Sequence, residues 1–167
     1  MDHLSFIALL SIGIVSLSSL TVGRYIINSS DDMFNFINLL MIASIGMTGV
    51  VMAKDIFSLY VYLEVTAVSA FILIALQKES LALEGAFKYI VLSSIASILM
   101  LSSIALMVIV SGSTSFNAVR DALSLSHTSF IAGIAVAIFM CGLFIKGGLV
   151  PFHGWLPDAY MAAPSPV

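Results

Sequence analysis

Two ionisable residues of this chain lie inside long apolar stretches, where a bilayer would surround them. Glu64 is the ninth residue of one such stretch, roughly 12 Å along a helix axis from its start. That is too far for a glutamate side chain to reach the interface. Lys146 interrupts another apolar stretch near the carboxyl end. Burial disfavours the charged form of such a group, whereas a nearby opposite charge favours it. A group in which these two effects balance can exchange protons near neutral pH. Both residues are therefore candidates for ion or proton movement.

Structural roles are the alternatives at both positions. Glu64 could simply bond a neighbouring helix, and Lys146 could extend to the interface because it falls late in its stretch. Against that second role, the residues after Lys146 are largely apolar, and Gly147, Gly148 and Pro151 should break the helix there. Non-helical backbone is tolerated at membrane depth where it lines a cavity or is buried in protein. The break therefore favours a functional lysine.

Three further residues are candidates for a relay or for structural roles: Lys88, His153 and Asp158. Lys88 lies in the first third of the run 81–110, which is about 45 Å long if helical and exceeds the bilayer core, so Lys88 could lie at the interface. Glu84 is spaced for an i, i+4 ion pair with Lys88, which favours a structural role. A single His and a single Asp do not form a metal site without further ligands, so no metal is predicted. Additional helix breaks are expected at Pro157, Pro164 and Pro166.

Five apolar runs must position these residues: 4–27, 33–53, 56–76, 81–110 and about 128–150. Each is much longer than a strand and matches the roughly 20 residues of a spanning helix. An open sheet cannot span lipid, and no alternating barrel pattern is present. Between the last two runs, Phe116, Val119 and Leu123 share one face and predict a short interfacial helix. The sequence predicts an all-α integral membrane protein with about five transmembrane helices.

The composition supports this fold class. The chain is 60 % hydrophobic and only 9 % charged, with a formal net charge of −3, whereas soluble domains carry about 25 % charged residues. No basic cluster suggests nucleic acid, and no glycine-rich phosphate loop or nucleophile elbow is present. A soluble enzyme and a nucleic-acid-binding protein are therefore excluded, and whether the chain has any part in catalysis is left open.

The carboxyl-terminal segment closely resembles the signature of antiporter-like, proton-translocating membrane subunits. In that family, a lysine in an apolar helix precedes Val-Pro-Phe-His-x-Trp-Leu-Pro-Asp-Ala and then Ala-Pro-Ser/Thr-Pro-Val. The corresponding positions here are Lys146, 150–159 and 163–167, and segments 55–64 and 84–89 are similar to two further family helices. The family includes large membrane subunits of respiratory complex I, Mrp-type sodium/proton antiporters and membrane-bound hydrogenases.

This resemblance implies that Glu64 and Lys146 form the family's glutamate–lysine pair on two packed helices. In that mechanism, separating the two charges passes a proton onward. Residues 33–167 would form a partial antiporter-like domain, the first of two inverted repeats, ending at a discontinuous-helix region. Residues 1–32 would form an N-terminal transmembrane helix and turn. The family's downstream relay has no counterpart here, so the chain is expected to be a split or truncated subunit, or a remnant kept for assembly.

The resemblance also implies the surroundings of the chain. Expected partners are the lipid bilayer and other membrane subunits, including a chain that supplies the missing helices, in a prokaryotic cell membrane. Redox cofactors are expected in those partner subunits and not in this chain. The alternative function is a structural or assembly subunit that retains inherited buried charges. A quinone-binding enzyme is a further alternative, for which the sequence shows no clear pocket. The residues leave open whether the ion is a proton or sodium.

Overall fold

The fold, seen in a computed structural model that describes residues 3–125 and 130–167, is built from helices. Within these residues there is no strand, and the only extended pairing is an isolated bridge between Asp55 and Ser115. Short 3-10 turns occupy Ala75–Gln77 and His153–Trp155. The predicted all-α class is confirmed. The helices are α1 His3–Ile26, α2 Ser30–Met52, α3 Ile56–Ile74, α4 Ser80–Ser111, α5 Phe116–Leu125, α6 Phe130–Lys146 and α7 Leu156–Ala162.

Four segments of the described chain are long and apolar enough to cross a membrane: His3–Ile26, Ser30–Met52, Ile56–Gln77 and Ser80–Ser111. Helix α6 is apolar but has only 17 residues, about 25 Å of helix, at the lower limit for a span. The apolar run extends to about residue 150, but the helix ends at Lys146, because Gly148 adopts a left-handed φ of 60°. The helix therefore ends where Gly147 and Gly148 were expected to break it. Its predicted start at residue 128 lies outside the described residues.

Helix α4 is the centre of the bundle, since it packs against α3, α5, α6 and α7. On the other side of α3, helix α2 packs against α3, and helix α1 packs against α2. Close approach of α4 and α6 depends on Gly142, where a Cβ would lie 2.5 Å from Met100 Cγ. The buried Ser103 hydroxyl also donates to Ala135 O at 2.6 Å. These contacts hold α6 firmly along α4.

The start of α3 is fixed by a side-chain cap. The carboxylate of Asp55 accepts hydrogen bonds from Ser58 N at 2.8 Å and from Ser58 Oγ at 2.6 Å. These two hydrogen bonds lower the pKa of Asp55 below its usual value. The next residue, Ile56, donates its N–H to Thr114 O at 3.0 Å. This backbone hydrogen bond joins the start of α3 to the loop before α5.

Helix α5 confirms the short helix predicted between the fourth and fifth apolar runs. Its Val119 is 7 % exposed and packs with Ile104, Met107 and Ala135. Leu123 contacts the same cluster. Val119 and Leu123 are therefore covered by protein, whereas Phe116 on the same face is 39 % exposed.

Candidate functional site

The structure brings Glu64 and Lys146 together at the meeting point of three helices. Glu64 lies in the middle of α3, and Lys146 is the last residue of α6. Lys146 Nζ lies 2.8 Å from Glu64 Oε1, and the two side chains are 10 % and 30 % exposed, respectively. Helix α4 supplies Ser93, whose Oγ accepts a hydrogen bond from Lys146 Nζ at 3.3 Å. Two opposite charges are therefore held in contact within the bundle.

A second serine of α4 connects this ion pair to the helix backbone. The hydroxyl of Ser97 has two acceptors within reach, Glu64 Oε1 and Ser93 O. Because a hydroxyl has one proton to donate, it can serve either acceptor but not both fully. Ser97 can therefore turn toward the carboxylate or away from it. The Glu64 carboxylate thus has a hydroxyl donor as well as the ammonium of Lys146 within hydrogen-bond distance.

The position of Lys146 follows from how α6 ends. Gly148 N donates to Ile145 O at 3.2 Å, and Leu149 N donates to Phe144 O at 2.9 Å. This is the paired hydrogen-bond pattern of a Schellman motif, which requires the left-handed residue that Gly148 provides. The predicted break at Gly147 and Gly148 therefore places the lysine on the last helical turn, opposite Glu64.

An aromatic pair covers the end of α6. Trp155 is 6 % exposed and donates its Nε1–H to Ile145 O at 3.2 Å. Its ring stacks on that of Tyr89 of α4, with centroids 4.5 Å apart and planes 11° from parallel. The carbonyl immediately before Lys146 is therefore held by a side chain from the following segment. The sequence pattern predicted no role for either aromatic ring.

A separate charged cluster joins α4 to α7. Lys88 Nζ lies 2.8 Å from Glu84 Oε1, the contact predicted from their spacing, and 2.6 Å from Asp158 Oδ2. The second contact bridges 70 residues of sequence and was not predicted. Asp158 also stands in the first turn of α7, where a negative charge is favourable. Lys88 and Asp158 are therefore partners, on a different site from the pair at α6.

The remaining candidates do not join either cluster. His153 is exposed in the 3-10 turn before α7, and its carbonyl oxygen accepts a hydrogen bond from Leu156 N. Pro157 was predicted to break a helix but lies in the first turn of α7, where proline needs no N–H partner. Pro164 and Pro166 follow α7, and Pro166 O accepts a hydrogen bond from Ser19 Oγ. No group of three metal-ligating side chains occurs in the described segments.

Comparison with known proteins identifies relatives of the whole described region. A chain of the membrane-bound sulfane sulfur reductase, an archaeal respiratory membrane complex, superimposes with a TM-score of 0.87 at 32 % identity, over 99 % of this chain and 34 % of that chain. A chain of respiratory complex I from Thermus thermophilus with bound aureothin superimposes with a TM-score of 0.83 at 26 % identity, over 99 % and 36 %.

Sequence relatives agree with these structures. The chain is 33 % identical over 157 residues to NADH-quinone oxidoreductase subunit N 1 of Rhizobium meliloti (strain 1021), covering 93 % of this chain and 32 % of that protein. It is 32 % identical over 168 residues to F(420)H(2) dehydrogenase subunit N of Methanosarcina mazei, covering 99 % and 34 %. The chain thus spans about a third of the length of these relatives. A family model described as "NADH:quinone oxidoreductase/Mrp antiporter, TM" matches residues 53–167, most of the chain, and the chain belongs to that family.

Proposed function

We propose that this chain carries part of the ion path of an antiporter-like subunit in a multisubunit respiratory-type membrane complex. The observation that carries the proposal is the contact of 2.8 Å between Lys146 Nζ and Glu64 Oε1 inside the helix bundle. A buried ion pair adds little stability compared with apolar packing, whereas removing one partner is costly. An ion pair kept at this depth is therefore better explained by ion handling than by stabilisation.

The geometry supports a simple charge-transfer step. While the pair is closed, the ammonium of Lys146 is held by the carboxylate and by Ser93 Oγ. When Glu64 moves away, the ammonium loses its nearest negative charge and releases its proton more readily. Ser97 can reorient between the carboxylate and Ser93 O during this change. In this proposal the proton released by Lys146 passes to a water molecule or a titratable side chain of the assembled complex near the end of α6, because the segment directly after Lys146 carries no titratable side chain before His153.

The rest of the ion path lies, in this proposal, in helices outside the present segment. The basis is the length of the relatives, about a third of which this chain spans. Those helices, other membrane subunits and the redox cofactors that drive transport belong to the assembled complex. The host membrane is the cell membrane of a prokaryote, since the relatives described above come from bacteria and archaea.

The test is ion transport by the assembled complex in membrane vesicles. Glu64→Gln should reduce redox-driven proton uptake, followed by a pH-sensitive dye, by at least tenfold, with the amount of assembled complex nearly unchanged. Glu64→Asp should retain part of the activity, because the carboxylate remains but is one methylene shorter. Glu84→Gln is the matched control, since that carboxylate is 59 % exposed and lies in the other cluster. Uptake that requires sodium would identify sodium as the ion.

The structural alternative gives a different result in the same vesicles. If Glu64→Gln pumps like the parent at every pH tested, the pair is structural and the chain serves assembly. Steady proton flux through the purified chain alone, reconstituted in liposomes, would contradict the placement of the remaining path in other helices.

A further inference from the structure

We propose that Lys88 and Asp158 form a positioning pair that holds α7 against α4 and, through Trp155, keeps Lys146 opposite Glu64. The inference rests on the proposed function, because it concerns how the ion-handling lysine is placed. It assigns to Lys88 and Asp158 a role that is separate from carrying the ion.

The first step is how α7 is attached. This helix has seven residues, too few to be stable without tertiary contacts. Its attachment is the ion pair of 2.6 Å between Asp158 and Lys88, together with a cluster in which Ala159, 0 % exposed, packs with Ile74 and Ala86. The ion pair is the polar part of this attachment, so it determines where along α4 the helix docks.

The second step connects α7 to the end of α6. Trp155 directly precedes α7, belongs to the same buried cluster and donates to Ile145 O at 3.2 Å. Ile145 is the neighbour of Lys146 in the last turn of α6. On α4, Tyr89, which stacks on Trp155, is the neighbour of Lys88. Lys88 and Tyr89 are therefore adjacent on α4, and they contact Asp158 and Trp155 of the same segment.

The third step separates positioning from proton transfer. Among the described residues, no hydrogen bond joins the cluster of Lys88 directly to that of Lys146. Lys88 has two carboxylate partners, Glu84 and Asp158. Asp158→Asn therefore removes the ion pair to α7 and leaves Lys88 with a partner on its own helix. The side chains of Lys88 and Asp158 are 42 % and 39 % exposed, so losing such a pair should change the docked population by up to about fivefold.

The first experiment measures the docking of α7 in the purified full chain in lipid nanodiscs. The chain contains one tryptophan, Trp155, so intrinsic tryptophan fluorescence reports on that residue alone. Asp158→Asn should shift its emission to longer wavelength and increase quenching by acrylamide. Glu84→Gln, which removes the partner of Lys88 within α4, should leave both signals unchanged. Equal signals from Asp158→Asn and the parent would overturn the proposal.

The second experiment measures transport by the assembled complex, normalised to the amount of assembled complex. Asp158→Asn should lower proton uptake by about twofold to fivefold. Trp155→Phe, which keeps a ring to stack on Tyr89 but lacks the donor to Ile145 O, should lower it similarly. The variant that combines Asp158→Asn with Trp155→Phe should take up protons about as fast as the slower of the two single variants, because both changes interrupt one chain of contacts. The conservative variants Lys88→Arg and Asp158→Glu should each retain most of the parent's rate of proton uptake.

The outcomes separate this inference from the proposed function. Normal uptake in Trp155→Phe together with loss in Lys88→Arg would mean that Lys88 itself carries protons, which overturns the positioning role. Multiplicative losses in the double variant would also overturn it. Normal uptake in Lys146→Met would instead refute the proposed function. In that case the fluorescence experiment would still decide whether Lys88 and Asp158 dock α7.

Discussion

Replacing Lys146 by methionine should expose the strength of its contact with Glu64. The substitution keeps a flexible apolar stem but removes the ammonium that lies 2.8 Å from Glu64 Oε1. The carboxylate then retains the hydroxyl of Ser97 as its donor in the cluster. A partly buried carboxylate without its cation is unfavourable in the ionised form. We therefore expect Lys146→Met to destabilise the chain strongly.

The expected magnitude follows from the geometry. Two unit charges at 2.8 Å attract by about 6 kcal/mol at an effective dielectric constant of about 20. Removing both charges from water offsets much of this attraction, since the lysine and glutamate side chains are 10 % and 30 % exposed. Losing one partner of a buried pair costs about 3–5 kcal/mol. The partial exposure of Glu64 places Lys146→Met near the lower value, about 3 kcal/mol.

Glu64→Gln should be milder, because its amide oxygen still accepts a hydrogen bond from the lysine. We expect a loss of about 1.5 kcal/mol, the lower end for a hydrogen bond to a charged group. The double variant Glu64→Gln with Lys146→Met should lose less unfolding free energy than the sum of the two single variants, since it removes both charges and leaves neither one unpaired. The coupling free energy should be on the order of 1–3 kcal/mol.

The assay is unfolding of the purified chain in mixed micelles, with helix content followed by circular dichroism as the fraction of sodium dodecyl sulfate rises. A control cycle combines Glu64→Gln with Arg120→Met, because Arg120 is exposed on α5 and belongs to neither charged cluster. That control should be additive within about 0.5 kcal/mol. If the cycle of Glu64 with Lys146 is equally additive, the two groups do not interact, and the site as described is wrong.

Three further predictions concern the elements around the site. Gly142→Ala should destabilise the chain by about 1–3 kcal/mol in the same assay, because its Cβ would meet Met100 Cγ at 2.5 Å; Gly133→Ala in the same helix, with open space around it, should be neutral or stabilising. Gly148→Ala should cost about 1–2 kcal/mol because φ is 60°, whereas Gly148→Asn should cost less, and equal costs would argue against a left-handed C-cap. The pKa of Asp55 is lowered by its cap hydrogen bonds, so its stabilising effect is present above its usual pKa and is lost as the pH falls through the lowered value. The stability difference between the parent and Asp55→Asn should therefore shrink on acidification, and a difference independent of pH would contradict the role of the charge.

The sequence by itself determined the local features of this protein. The lengths of the apolar runs gave the number and class of the helices, because only helices of that length satisfy their backbone inside lipid. Gly147 and Gly148 placed the break behind Lys146, since a left-handed turn strongly favours glycine. The pairing of Lys88 with Glu84 followed from the spacing of one helical turn. Each of these features depends on neighbours in sequence.

Contacts between helices were decided by the tertiary structure. The residue pattern placed Glu64 and Lys146 at depth, and the family resemblance implied their pairing, but neither predicted that Ser93 and Ser97 would join them. The contact of Lys88 with Asp158 was likewise not predicted. The physical reason is that a membrane helix is apolar on the side that faces lipid and on the side that faces protein. Its sequence therefore carries no amphipathic stripe to specify its rotation, and only packing brings particular side chains into contact.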